Sequence, residues 1–227
     1  METSKITARI AGAVYLIVVL TGIYSLGYIP SKLFVLNNAQ TNFNNIIEHE
    51  DLFRLGIVAG VICYVAFLVL PIVLYKLFHK INKSYGIAMV ALSTVSVPFS
   101  LFNLMYKINI LTLIKNTDKL NIELDSLQSQ ILLQLNYYNN GIQFVSIFWG
   151  LWLFPFGYLV FKSGFLPKIL GIFLMVGCFG YLIKFVGSFL LYDSQLTFLK
   201  YVSLPATIGE IGICLWLLIA GVKISKK

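Results

Sequence analysis

Six stretches of this chain, approximately residues 8–29, 52–77, 85–107, 138–161, 168–191 and 200–222, are long, strongly apolar and almost free of charge. A helix needs about 20 such residues, at about 1.5 Å each, to cross a hydrocarbon core about 30 Å thick. Lipid offers no partner for exposed backbone groups, so runs of this kind span as helices unless they alternate strictly enough to close a barrel, and these do not. The expected fold is therefore all-α: a polytopic membrane bundle of about six transmembrane helices, forming one integral membrane domain over residues 1–227. Composition agrees. Hydrophobic residues make up 59% and charged residues 11%, against roughly a quarter charged in soluble domains. The first run follows Lys5 and Arg9, but it exceeds the usual signal-peptide core and no A-x-A site closes it, so it reads as a retained first helix.

With six spans, both termini share a side with the turns near residues 78–84 and 162–167. That side carries Lys5, Arg9, Lys76, Lys80, Lys83, Lys162, Lys168, Lys223, Lys226 and Lys227 against Glu2 alone. The other carries Lys32, Arg54, Lys107, Lys115, Lys119 and Lys200 with Glu48, Glu50, Asp51, Asp118, Glu123, Asp125 and Asp193. The positive-inside rule then makes the first side cytoplasmic, and a multi-pass protein of the cell (inner) membrane with both termini in the cytoplasm is expected. The net charge of +8 is accordingly a topology signal, and no nucleic-acid partner is expected. Two longer outer connections remain, 30–51 and 108–137. In the second, Leu120, Leu124, Leu127, Ile131 and Leu135 recur at helical spacing, which predicts an amphipathic helix before span four, lying on the outer interface or prolonging that span.

Charged residues within spans carry the functional information, because each costs about 2.5–3.5 kcal/mol at a helix centre and usually faces the bundle interior. Glu210 lies ten residues past Lys200, hence about 15 Å deep; Lys184 lies sixteen past Lys168, about 24 Å from the inner face. Arg54 sits just inside the outer end of span two. Polar stripes at helical spacing accompany them: Ser203, Thr207, Glu210 and Cys214; Gly177, Gly180, Tyr181, Lys184 and Ser188; Asn136, Asn139, Asn140, Gln143 and Ser146; Ser93, Ser96, Ser100, Asn103 and Lys107. The predicted ligand-binding set is Glu210 as charged centre, Lys184 or Arg54 as its counter-ion, and Gln143, Asn140 and Asn103 as polar lining. Pro205, which cannot donate a backbone bond, is expected to leave the Tyr201 carbonyl without its usual partner one turn before Glu210.

Other chemistry has little sequence support. Cys63, Cys178 and Cys214 fall in apolar runs without metal-ligand or redox spacing and read as packing residues. Glu48, His49, Glu50 and Asp51 are consecutive, so they cannot converge on one ion; Asp51 reads as the N-cap of span two. His49 and His79 fall on opposite sides, which removes paired haem ligands. No HExxH, GxSxG or Gly-rich phosphate loop occurs. No catalytic residue, metal or cofactor is assigned. Gly56 and Gly60 form a GxxxG pattern suited to close helix approach, within the bundle or between copies. Gly56 to Pro71 followed by Gly86 is similar to Gly141 to Pro155 followed by Gly171, which hints at a duplicated hairpin.

Thr7-Ala8-Arg9-Ile10-Ala11-Gly12 with Tyr15, the block Leu151-Trp152-Leu153-Phe154-Pro155-Phe156-Gly157-Tyr158, Ser163-Gly164-Phe165-Leu166-Pro167, Leu170-Gly171, and Ile208-Gly209-Glu210 with Trp216-Leu217-Leu218 resemble the DUF4386 family over nearly the whole chain. The resemblance implies a single-domain bacterial or archaeal membrane protein and supplies no reaction, substrate or site. The leading reading is a noncatalytic protein that binds or moves a small ligand or ion through a polar pocket in the outer half of the bundle. An intramembrane enzyme acting on a lipid or hydrophobic substrate is the second reading, and a membrane interaction or regulatory partner the third. The partner classes left open are membrane lipids, a small-molecule or ion ligand, and a second copy of the chain.

Overall fold

Proline and short polar turns divide the apolar runs into helices in a computed structural model of the chain, which describes residues 2–117, 122–191 and 197–222, the side chains of residues 2–4, 197 and 200 excepted. The described α-helices are α1 (Glu2–Gly22), α2 (Ile29–Leu33), α3 (Ala39–Glu48), α4 (Glu50–Phe78), α5 (Lys83–Asn103), α6 (Met105–Lys115), α7 (Leu124–Leu151), α8 (Leu153–Ser163), α9 (Lys168–Leu190) and α10 (Leu204–Ile219). Among the described residues there is no strand. Five helical stretches are long and apolar enough to cross a membrane: Lys5–Leu33, Glu50–Phe78, Lys83–Lys115, Leu124–Ser163 and Lys168–Leu190. The sixth apolar run is shorter than its sequence suggests, with a 3₁₀ turn over Thr197–Lys200 and a helix of only 16 residues. An all-α membrane bundle is the fold. Of the charges used to orient it, Asp118, Lys119, Asp193, Lys223, Lys226 and Lys227 lie outside the described residues, as do Leu120 and the side chains of Glu2 and Lys200.

The interruptions have local causes. Pro30 has no N–H to give one turn back, and the preceding Ile23–Tyr28 is a π-helix in which the Ile29 N–H reaches the Tyr24 carbonyl. Pro155 likewise cannot donate to Leu151, where α7 ends, and α8 restarts at Leu153. Pro71 and Pro98 stay inside continuous helices. Pro205 departs from expectation: it lies in the first turn of α10, where a missing N–H costs nothing. The Tyr201 carbonyl accepts from the Leu204 N–H at 3.0 Å and is not orphaned. Asp51, expected as a cap, stands within the first turn of α4 beside Glu50.

The helices group into two compact units. The first comprises residues 1–17, 65–97 and 143–227. Its aromatic centre has Trp152 stacked on Phe156 at 5.0 Å, with Phe67 edge-on to Trp152 at 5.1 Å and Phe78 edge-on to Phe156 at 5.9 Å. A tight turn joins α8 to α9. Gly164 adopts φ +71, which favours glycine, and the Ser163 hydroxyl accepts from the Leu166 N–H at 3.2 Å. Beyond this turn the helices meet backbone to backbone, since a Cβ on Gly157 would fall 2.6 Å from the Gly171 carbonyl oxygen, and one on Gly171 equally close to that of Gly157. In the earlier hairpin a Cβ on Gly86 would meet the Tyr75 ring at 2.9 Å. In both hairpins, then, a glycine just past the turn lets the returning helix settle on the outgoing one.

The second unit comprises residues 18–64 and 98–142. The connection 30–51 is not an open loop there. Asn38 caps α3 by accepting from the Thr41 N–H at 2.9 Å. Asn42 ties both backbone groups of Val35, and Asn45 donates to the Leu33 carbonyl at 3.0 Å. Ile46 then joins Ile29, Leu33, Phe53, Ile57, Ile110, Leu127, Ile131 and Leu135 in one apolar core. The predicted amphipathic segment prolongs α7, burying Leu127, Ile131 and Leu135 while Leu124 stays exposed. The GxxxG pattern serves packing within the chain: Cβ atoms on Gly56 and Gly60 would strike Ile29 and Ser25, and Ser25 Oγ donates to the Gly56 carbonyl at 2.8 Å.

Candidate functional site: a buried carboxyl held by a tyrosine

In the first unit, small residues bring three helices close enough to enclose Glu210. A Cβ on Gly177 would lie 2.6 Å from Ala206, and one on Gly209 2.9 Å from Leu174, so α9 and α10 pack tightly. A Cβ on Gly12 would lie 2.6 Å from the Leu218 nitrogen, so α1 presses equally closely on α10, with Cys214 Sγ 3.7 Å from the Gly12 carbonyl. One turn along α1 from Gly12, the Tyr15 hydroxyl donates to Glu210 Oε1 at 3.1 Å. The Tyr15 ring is 1% exposed and wedged 6.5 Å from both Trp152 and Phe156, so its hydroxyl is aimed by packing rather than by a search among rotamers. The result is a half-buried carboxyl in an apolar helix with a phenol as its hydrogen-bond donor, and among the described residues no cation pairs with it.

The other predicted site residues distribute between the units. Lys184 and Gln143 belong to the first unit with Glu210; Arg54, Asn140 and Asn103 belong to the second. Lys184 is exposed on α9, where its carbonyl accepts from Ser188. Gln143 is half-buried and its carbonyl accepts from Ser146 at 2.6 Å. Arg54 pairs with Glu50 one turn earlier, at 2.6 Å. Neither expected counter-ion therefore pairs with Glu210. The i,i+4 partner needs no long-range placement, and Lys184 sits on an outward face of its helix. Asn140 is exposed. Asn103 is 4% exposed and donates to the Tyr138 carbonyl at 2.9 Å, its side chain resting where Gly141 leaves room.

One residue was underrated by its sequence position. Lys107 counts with the outer-side basic residues, yet it is 0% exposed, its ammonium 4.1 Å above the Tyr138 ring and without a hydrogen-bond partner. The signal was the stripe it completes: Ser93, Ser96, Ser100, Asn103 and Lys107 are all buried. Among the described residues no group of three or more His, Cys, Asp or Glu side chains converges as a metal site.

A family model described as a domain of unknown function, DUF4386, matches residues 10–221. The chain belongs to the DUF4386 family. A relative from Archaeoglobus fulgidus, itself described as an uncharacterized protein, is 36% identical over 83 residues, which cover 35% of this chain and 46% of that one. The chain thus aligns with about half the length of that relative. No solved structure matches. In this DUF4386 protein the residues that carry the family resemblance, far apart in sequence, meet around one point: Gly12 and Tyr15 from α1, Trp152 and Phe156 at the α7–α8 junction, and Glu210 from α10.

Proposed function

We propose that this protein is a noncatalytic multi-pass protein of the cell membrane that binds, or passes across, a small cationic ligand or ion, a proton included, at Glu210. The observation that supports this most is a carboxyl within an apolar helix, given a phenolic donor by Tyr15 and no cation by the described residues. A charged group in such a place is costly, and a single phenol offsets only part of that cost. A bound proton or cation removes the imbalance. Catalysis has less support, because neither a nucleophile–base pair nor a metal cluster accompanies the carboxyl among the described residues. Both termini face the cytoplasm in this reading, on the strength of ten basic residues against six on the two sides.

The test is the thermal midpoint of the full chain in neutral detergent, measured against proton, sodium, potassium, magnesium and a small organic ammonium. Wild type should gain stability with at least one of them, as any ligand of the folded state requires. Glu210→Gln should lose that response. Equal responses in the two proteins, or none in wild type, would overturn the reading.

A further inference from the structure

The second unit contains a cation as conspicuous as the carboxyl of the first. Lys107 lies one turn past Asn103, just beyond the break at Leu104 that separates α5 from α6. Its side chain is fully buried, and Nζ has no acceptor. Phe34, at 5.8 Å, and Tyr138, at 4.1 Å, supply aromatic faces. That attraction is weaker than the desolvation an ammonium suffers, and it uses none of the three N–H donors. Two polar groups close in sequence are engaged with other atoms. Asn103 Nδ2 is spent on the Tyr138 carbonyl, and Gly141 packs against the rest of its side chain. The Leu104 carbonyl accepts from the Lys107 and Ile108 backbone N–H groups.

The cover over this site is also built. Phe34 ends α2 in an extended conformation. The residues on either side of it are tied to α3, Leu33 through Asn45 and Val35 through Asn42. Besides these three side-chain bonds, the Phe34 N–H donates to the Pro30 carbonyl at 3.0 Å and the Phe34 ring stands edge-on to Phe53 at 6.2 Å, so opening the turn frays the end of α2 and exposes one aromatic ring.

We propose that Lys107 is the recognition point for a bound oxyanion, a carboxylate or phosphate group, admitted beneath the turn at residues 33–35. An oxyanion has the lone pairs to use several N–H donors of one ammonium, and its charge is what the buried lysine lacks. The surrounding aliphatic core, Ile110 and Leu33 included, favours a singly charged group over a hydrated polyanion. Either a free anion or the headgroup of an anionic amphiphile presents this chemistry. Lys107 belongs to the second unit and Glu210 to the first.

The experiment uses the full chain, stripped of lipid in neutral detergent, and titrates it in separate arms with acetate, inorganic phosphate, oleate, phosphatidylglycerol and phosphatidylcholine. Thermal midpoint and native mass are read in each arm. At least one anionic arm should raise the wild-type midpoint and leave a one-equivalent adduct, with phosphatidylcholine inert. A response to acetate or phosphate marks a free anion; a response confined to oleate or phosphatidylglycerol marks an amphiphile. Lys107→Gln and Lys107→Met should both lose the adduct and the shift, while Glu210→Gln retains them. If neither lysine variant folds, the absence of an adduct in every wild-type anionic arm still overturns the proposal. No adduct in any anionic arm, or an adduct equally present in the lysine variants, would overturn the proposal.

Discussion

The backbone contact between α8 and α9 gives the sharpest energetic prediction. Alanine at Gly157 places its Cβ 2.6 Å from the Gly171 oxygen and 2.8 Å from Met175 Cγ; alanine at Gly171 meets the Gly157 oxygen at 2.6 Å and the Phe161 nitrogen at 2.8 Å. Ordinary contact begins at 3.4 Å. Neither obstacle at 2.6 Å is the end of a flexible side chain, so the helices themselves must part. Overpacking of this kind costs about 1–3 kcal/mol. The usual gain from replacing glycine in a helix is not available as compensation, because membrane spans stay helical when their tertiary contacts are lost. Each single variant should therefore lose about 1–3 kcal/mol. One separation relieves both clashes, so the double variant should cost less than the two singles together, with a coupling of roughly 0.5–3 kcal/mol. Reversible unfolding in mixed micelles at increasing denaturing-detergent fraction measures all four proteins. Wild-type stability in Gly157→Ala, or strict additivity in the double variant, would refute the close approach.

Three further outcomes follow from other parts of the fold. Trp152→Ala, which empties a site 1% exposed and in contact with Phe67, Phe156 and Tyr15, should lose about 3–5 kcal/mol in the same assay. Ser25→Ala removes a buried bond of 2.8 Å to the Gly56 carbonyl and should lose about 0.5–1.5 kcal/mol, more if that carbonyl finds no water; a neutral result contradicts the contact between the π-helix Ile23–Tyr28 and α4. Pro205→Ala should shift stability by no more than about 0.5 kcal/mol, since the proline occupies a first turn, whereas a mid-helix proline would give a clear gain on replacement.

Five of the six expected spans appear as helices long and apolar enough to cross a membrane, because hydropathy over 20 residues is dictated by lipid and needs no tertiary information, whereas the sixth run forms a helix of only 16 residues. The prolonged α7 was legible for a similar reason, through the spacing of Leu127, Ile131 and Leu135. What sequence missed was set by contacts between distant segments. The α3 helix hides in an asparagine-rich connection, since its stability comes from Asn42 and Asn45 bonding to residues 33–35 and from Ile46 entering a core it does not itself define. Lys107 looks like a span-end lysine until that core closes over it. Glu210 stands out in the sequence as a charge deep within an apolar run, but its partner Tyr15 lies 195 residues away, and no local pattern joins them. Arg54 had its partner in view, four residues back at Glu50, and the short-range pairing prevailed over a distant one.

Orientation can be read with single cysteines in a background where Cys63, Cys178 and Cys214 are replaced. Lys80→Cys should react with an impermeant maleimide only from the cytoplasmic face, and Asn44→Cys only from the opposite face; the reverse pattern would invert the assignment.

Cation binding at Glu210, the carboxyl that accepts from the Tyr15 hydroxyl, is open to isotope-edited infrared difference spectroscopy. The Glu210 carboxyl band should shift on cation addition, move in Tyr15→Phe and vanish in Glu210→Gln. A band that ignores both the cation and the loss of the Tyr15 hydroxyl would contradict cation binding there.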